Sequence, residues 1–512
     1  MTRRLLLLFA LLTAALAACT RSYRGGMGWI APTFDGPTVL ATQPFPAPQT
    51  AVPTAFHTPT RPPNTPILSP TPDPPRILPT TRSQEEQYVV RAGDSLGRIA
   101  QQYAVPVDQL VRANDIANPN YIEPGQVLAI PVVTPNVPPS SFKIIPDSEL
   151  VYGPAAASLD ASAFVQSKNG YLAHYQEDVD GVTLAGAQVV RRVAEQYSVN
   201  PRLLLAVLEY RSGWVLSADP DPAFNDYPLG YLDTNHKGLY AQLAWAANEL
   251  SRGFYLWQMN AIATWTLADG SIAPVDPTIN AGTAGVQRLM ALLYGRDDWL
   301  KAVSAHGLFS TYQNLFGYPF DYAVEPLLPP DLKQPPLQLP FEPGEVWSFT
   351  GGPHGGWADG SAWAALDFAP PGDALGCVPS SAWVVAMADG LILRAQNGEV
   401  IEDLDGDGNE GTGWVLLYMH ISSQDRVQPG AHVRAGDRIG HPSCEGGVST
   451  GTHVHIARRY NGVWISADGS LPFDLDGWIS SGDGINYDGV LTRNGQRIEA
   501  WEGRRTENQI QR

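Results

Sequence analysis

Hydrophobic residues change their spacing several times along this chain, and each change marks a boundary. The chain opens on an unbroken apolar run, "LLLLFALLTAALAA", behind Arg3 and Arg4 and ending at Cys19. A positive start, a short apolar stretch and small residues before the cysteine make residues 1–18 a secretory signal, too short and wrongly flanked for a lasting membrane span. Residues 19–85 have no apolar period and are rich in Pro and Thr, so they read as an extended, semi-rigid, disordered linker. From 87 the pattern turns regular. Tyr88 to Val90 predicts a strand, and Asp94 or Ser95 can cap a helix with Leu96, Ile99, Ala100 and Tyr103 on one stripe. A second helix begins at Val107–Val111, and "GQVLAIP" closes the unit as a strand, giving a small α+β module over 87–132.

Residues 155–325 carry helical periodicity, clearest in "AQVVRRVAEQYSVNPRLLLAVLEYRSGW". Asn200 is an N-cap and Pro201 the first helical position, so the chain restarts a helix there. The aromatics of "GLYAQLAWAANELSRGFYLWQM" recur at helical spacing and read as core. From about 335 short apolar runs alternate with glycine-rich turns, which predicts a mainly antiparallel β domain over 335–482. Residues 483–512 form a polar tail of mixed charge. If "THVHIA" is a strand, His453 and His455 project from one face about 7 Å apart. A helix would send them in different directions, so the strand is what gives the spacing chemical meaning.

Charge and cysteine content narrow the function. The net charge of −18 argues against nucleic acid and against electrostatic adhesion to anionic lipid. Past Cys19 only Cys377 and Cys444 remain. In an oxidising compartment they can pair, closing a loop of roughly 65 residues and stabilising by about 4 kcal/mol in the chain-entropy model. No later run of about 18 apolar residues is present to span a membrane.

Four resemblances add what spacing cannot. "Leu16-Ala17-Ala18-Cys19" resembles the lipobox of bacterial lipoproteins, which implies acylation of Cys19 and a membrane anchor outside the cytoplasm. The module at 87–132, with "VVRAGDSLGRIA", Asn114 and "IEPGQVLAIP", resembles a LysM domain; that family binds N-acetylglucosamine glycans such as peptidoglycan. "NPRLLLAVLEYRSGW" resembles the opening of lysozyme-like transglycosylase and glucosaminidase domains. There the catalytic Glu directly precedes the Ser of "E-S-G-W"; here that position is Arg211, and Glu209 points about 200° away, so the domain is expected to be non-catalytic. "VQPGAHVRAGDRIGHPSCEGGVSTGTHVHIA", with "DGLILRA", "GWVLLYMHI" and "AALDFAPPGDAL", resembles the lysostaphin-type M23 zinc metallopeptidases.

The M23 resemblance implies His455 and Asp367 as zinc ligands and His453 as a catalytic histidine. It implies His420 as the second catalytic histidine, bonded to the attacking water or steadying the oxyanion. The family's third ligand, four residues before the Asp, is replaced here by Trp363. His354, thirteen residues upstream of Asp367, can replace it if the glycines and small residues of 355–362 form a turn that brings it back. His432 and His441 are weaker candidates. "EDLDGDGNEGTGW" matches the start of an EF-hand-like calcium loop at Asp403, Asp405, Asp407 and Asn409, although Trp414 stands at its twelfth position; a calcium-stiffened hairpin and a solvated acidic turn both fit.

Two functional classes follow, beside a weaker third in which the helical domain is an active glycosidase using Glu209. One is a lipid-anchored envelope enzyme that holds peptidoglycan through LysM and cuts its stem peptides with zinc. The other is a binding or hydrolase-activating protein whose M23 domain has lost its chemistry at Trp363.

Overall fold

The computed structural model describes residues 70–79 and 84–512, apart from 92, 93, 95, 104, 106, 117–121 and 373. The signal, Cys19, most of the linker and Ser95 lie outside the described residues. Among the described residues no helix is long and apolar enough to cross a membrane.

The first module is strand, helix, helix, strand: Glu86–Val89, Leu96–Gln102, Val107–Ala113 and Val127–Ile130, with the two strands antiparallel. Leu96, Ile99, Ala100 and Leu110 are buried, as their spacing predicts. Asn114 ties the second helix to the closing strand, donating to Leu110 O and Ala129 O and accepting from the Ala129 amide. Asp94 Oδ2 accepts from the Arg91 amide and the Tyr88 hydroxyl and closes the turn before the first helix. Ile272 of the helical region completes this module's core. The last part of the expected linker also docks: Asp73 and Arg76 donate backbone bonds to Thr278 O and Pro277 O, and Asp73 pairs with Lys143.

The helical region is built on Gly186–Tyr197, Pro201–Ser212, Leu239–Gln258 and Ala281–Leu293, with shorter helices around them. Its core extends back to Val137, Ile144 and Ile145, ahead of the boundary read from periodicity. Asn200 caps as expected, accepting from the Arg202 amide at 2.9 Å.

Among the described residues the C-terminal domain is organised on a nine-stranded antiparallel sheet. Its central order is Glu399–Asp403, Trp414–Met419, Val454–Tyr460, Ala365–Ala369, Val346–His354 and finally Gln509–Gln511. That last strand comes from the polar tail, which is folded: its Val490–Arg493 and Gln496–Glu499 join Asp474–Leu475 and Trp478–Ser481 in a second, four-stranded sheet before the chain returns to the edge of the first. Cys377 and Cys444 are bonded.

Alternation along the strands assigns the two faces. Leu416, Tyr418, Ile456, Leu366 and Phe368 fill the domain's own core. Val415, Leu417, Ala457 and Ala365 point the other way and join Val463, Trp464 and the helical region in one continuous apolar cluster. A buried ion network seals this contact: Arg394 bridges Glu399 and Glu410, Arg459 pairs with Glu410, and Gln196 of the helical region donates to Glu399. Each buried charge has a partner, which offsets its desolvation.

Candidate metal centre

The site lies on the same face of the sheet that the helices cover further along. His453, His455, Ala457 and Arg459 follow one another at two-residue steps, so the histidines lie where that face is left open. His455 stands directly opposite Asp367 in register, a pairing that brings their Cβ atoms to about 5 Å. Val346–His354 and Ala365–Ala369 form a hairpin, with His354 opposite Ala365 after two register shifts. His354 therefore reaches the same patch from a neighbouring strand. Gly351 faces Asp367 across the hairpin; a Cβ there would come within 2.8 Å of the carboxylate, so glycine leaves the space.

The three groups converge. Asp367 Oδ1 lies 3.3 Å from His354 Nε2 and 3.2 Å from His455 Nδ1, and the two nitrogens are 3.0 Å apart. The opposite nitrogens are committed to backbone: His354 Nδ1–H donates to Gly352 O at 2.8 Å, and His455 Nε2–H donates to Gly356 O at 3.2 Å. In these neutral tautomers both inward nitrogens present lone pairs. Asp367 Oδ1 is buried and has no hydrogen-bond partner among the described residues. Two lone pairs and an orphaned carboxylate oxygen aimed at one point repel one another unless a cation lies between them, and this donor set suits a divalent metal of the zinc type.

The electrostatics agree. Burial would raise the Asp367 carboxyl, but positive charge on His354 and His453 holds it well below the usual range. Burial opposes protonation of His354, yet the facing Asp367 carboxylate holds the imidazole above its ordinary value. Burial lowers His455.

Two more histidines border this group. The rings of His420 and His453 lie 4.4 Å apart, and His453 Nε2 is 3.7 Å from Asp367 Oδ1. His453 Nδ1–H donates to Gly451 O at 2.7 Å and His420 Nδ1–H to Glu445 O at 3.1 Å, so each presents Nε2. Burial, with His453 and His455 beside it, pushes His420 down to about 3, so its Nε2 is an acceptor. His420 is held at φ +64°, a conformation non-glycine residues rarely adopt and one that costs on the order of 1–3 kcal/mol. Its carbonyl is pinned by the Ser443 amide and hydroxyl.

The other expected residues fall elsewhere. Trp363 takes no part in the cluster; its carbonyl accepts from the Ala467 amide. His432 is exposed, and His441 packs at a tilt against Trp383, with ring centroids 3.8 Å apart. Glu209 accepts from the Val215 and Leu216 amides, and Arg211 donates to Leu229 O and lies over Tyr294, so both act in the helical scaffold. Asp403, Asp405 and Asp407 have oxygens within 4.8 Å of one another. Those carboxylates, with Asn409, already accept from the amides of residues 405, 407, 408, 409 and 411, and these bonds hold the turn by themselves.

One neighbour escaped the sequence reading. Tyr487, in the folded tail, stacks on His354 with ring centroids 4.1 Å apart. Beside Thr452 a cavity of about 320 Å³ opens, walled by the loop 370–382 and Arg504.

Three family models match stretches of this chain. The family model described as Peptidase family M23 matches residues 375–467, the LysM domain model 88–131, and that of the LasA N-terminal domain 143–330. The last of these covers the region whose opening resembles lysozyme-like domains. Protease LasA of Pseudomonas aeruginosa is 26% identical over 365 residues, which is 65% of this chain and 77% of that protein. The beta-lytic metalloendopeptidase of Achromobacter lyticus is 30% identical over 173 residues, 31% of this chain and 43% of that protein. Its namesake from Lysobacter enzymogenes is 28% identical over 173 residues, 31% of this chain and 90% of that protein. Among solved structures, the M23 metalloprotease pseudoalterin is 26% identical, covering 36% of this chain and 99% of its own, with a TM-score of 0.29. The chain thus joins a LysM domain and a LasA-type N-terminal domain to a metalloendopeptidase domain of the M23 family.

Proposed function

We propose that this protein is a zinc-dependent peptidoglycan endopeptidase of the bacterial cell envelope, anchored through Cys19 and held to the glycan by its LysM domain. The observation that carries the reading is the convergence of His354 Nε2 and His455 Nδ1 on Asp367 Oδ1, a carboxylate oxygen with no hydrogen-bond partner among the described residues. Those three would hold zinc, which supplies Lewis acidity toward an amide carbonyl and acidifies water.

The remaining steps belong to the chain's own groups. His453 Nε2, fixed by the bond from Nδ1–H to Gly451 O, takes a proton from the attacking water and returns it to the departing amine. His420 Nε2, kept as an acceptor, receives a hydrogen bond from the same water and orients it. Of the two roles expected of His420, orienting water suits this tautomer and low pKa; donating to an oxyanion needs a proton that its surroundings disfavour. The binding-only alternative rested on Trp363, and with His354 at the cluster that observation no longer favours it.

The test is digestion of purified peptidoglycan by the full chain, with and without zinc. Zinc-dependent release of new amino groups, without new reducing ends, is the expected result. Release of reducing ends alone would replace peptide cleavage with glycan cleavage; release of neither would leave a binding protein.

A further inference from the structure

The loop that follows His354 is held from outside its own domain. Residues 355–361 connect the hairpin strands, and Gly356 O is the acceptor that orients His455. Within the loop, the Gly356 amide donates to Ala362 O and the Trp357 amide to Ser361 Oγ. Its tip is gripped by the long helix Leu239–Gln258. Asn248 Oδ1 accepts from the Gly360 amide at 2.8 Å, while Asn248 Nδ2 donates to Asp359 Oδ1 at 2.8 Å. Arg252 pairs with the same oxygen at 2.6 Å and is steadied by Glu249, which Arg288 holds in turn. The approach is close enough to require glycine at 360, where a Cβ would fall 2.0 Å from Asn248 O. Beneath the loop, Gly356 lies on the Trp464 ring, and the Trp464 amide donates to the hydroxyl of Tyr255, from that same helix.

We propose that the helical domain is a working wall of the peptidase site, in which Asn248 and Arg252 are positioning residues that set His455 through the loop 355–361. This rests on the reading of His455 as a metal ligand. A second-sphere carbonyl that fixes the tautomer and angle of a ligating histidine is ordinarily worth 10- to 100-fold in metal affinity or activity. Here that carbonyl sits on a glycine-rich connection whose tip, at Asp359 and Gly360, is gripped by Asn248 and Arg252, while Trp357 at its start meets Tyr197 edge-on.

The experiment uses the full chain with Asn248→Ala and, separately, Asp359→Ala, whose side chain is 79% exposed and whose loss leaves the apolar interface intact. Zinc affinity is measured by chelator competition, cobalt(II) absorption reports ligand geometry, and kcat and KM are taken on peptidoglycan. Expected are a roughly 10-fold or larger fall in zinc affinity and a shifted cobalt spectrum. A fall in kcat with KM within about twofold should accompany them, and Asp359→Asn, which keeps the acceptor oxygen, should recover most of the loss. Unchanged affinity, spectrum and kcat in both variants would overturn the proposal. A wild type that takes up no metal sinks the zinc reading instead. The coupling is then judged on the His455 Nε2–H exchange rate by NMR: faster exchange in Asp359→Ala sustains it, and an unchanged rate refutes it.

Discussion

His354→Ala is the perturbation that separates an intact site from a relic. In the proposed site it is one of three protein ligands, with Nε2 3.3 Å from Asp367 Oδ1. Complete four-ligand zinc sites bind with about 10–16 kcal/mol, so one ligand carries on the order of 3 kcal/mol, and its loss weakens zinc about 100-fold. The variant should fold, because the imidazole's polar bonds within the protein are to Gly352 O and to the metal group itself. Zinc per chain after gel filtration, followed by chelator competition, measures the effect. Trp363→Leu is the control and should bind as the wild type does, since among the described residues its hydrogen bonds are made by its carbonyl, which the substitution keeps. The pH dependence has a defined sign. Protons compete with the metal, and Asp367 holds His354 above the ordinary value of 6.5. Affinity should therefore begin to fall, on acidification, while the pH is still above 6.5. A His354→Ala protein with wild-type affinity, or a Trp363→Leu protein without metal, would show the ligand set to be wrong.

Three shorter predictions follow from the same surroundings. His453→Ala should lose on the order of 10²–10⁴ in kcat while keeping zinc, because its role is proton transfer; loss of zinc in this variant would make it a ligand instead. His420→Ala should likewise retain metal and lose rate, and the acid limb of the pH profile should not move in any variant that spares the other histidines, since His420 is pushed down to about 3. Glu402 is fully buried, accepts from the Tyr418 hydroxyl, and is pushed by burial to about 8 from 4.5. The folded state thus holds its proton more tightly than the unfolded one, so stability should fall as pH rises from 4.5 toward 8, by about 3 kcal/mol between pH 5.5 and 8. Denaturant midpoints should show that slope in the wild type and not in Glu402→Gln.

Much of the site was legible because it obeys the period of a strand. "THVHIA" places His453 and His455 on one face whatever the partners are, and the thirteen-residue interval from His354 to Asp367 is a hairpin's length. What the sequence conceals is the long-range packing. Tyr487 reaches His354 only because the tail folds back, and nothing in "GDGINYDGV" announces that contact. Glu209 resembles a catalytic acid by position, but its carboxylate is spent on two amides six and seven residues on. One clue to the covered face was present. "WVLLYM" is a continuous apolar run, which a sheet with one wet face does not need, and Val415 and Leu417 prove to lie beneath the helical domain.

That covered face limits how far the peptidase domain can stand alone. A fragment of residues 335–512 keeps its own core but exposes Ile401, Val415, Leu417, Val463, Trp464 and Ile465 to water. At about 1.5–3 kcal/mol for each large side chain, the lost burial comes to roughly 10 kcal/mol, comparable to the whole stability of an ordinary domain. The fragment also strips Gln196 and the Glu195 carbonyl from the buried network of Glu399 and Arg459. Ending at 482 is worse, since it removes Tyr487 and leaves the strand Val346–His354 as an open edge without Gln509–Gln511. Residues 137–512 should therefore give a monomer with one cooperative transition, whereas 335–512 should aggregate or melt broadly and bind zinc weakly. If 335–512 proved monomeric, melted sharply and bound zinc as tightly as the full chain, the apolar face would be self-sufficient. The loop 355–361 would then hold its shape without Asn248 and Arg252.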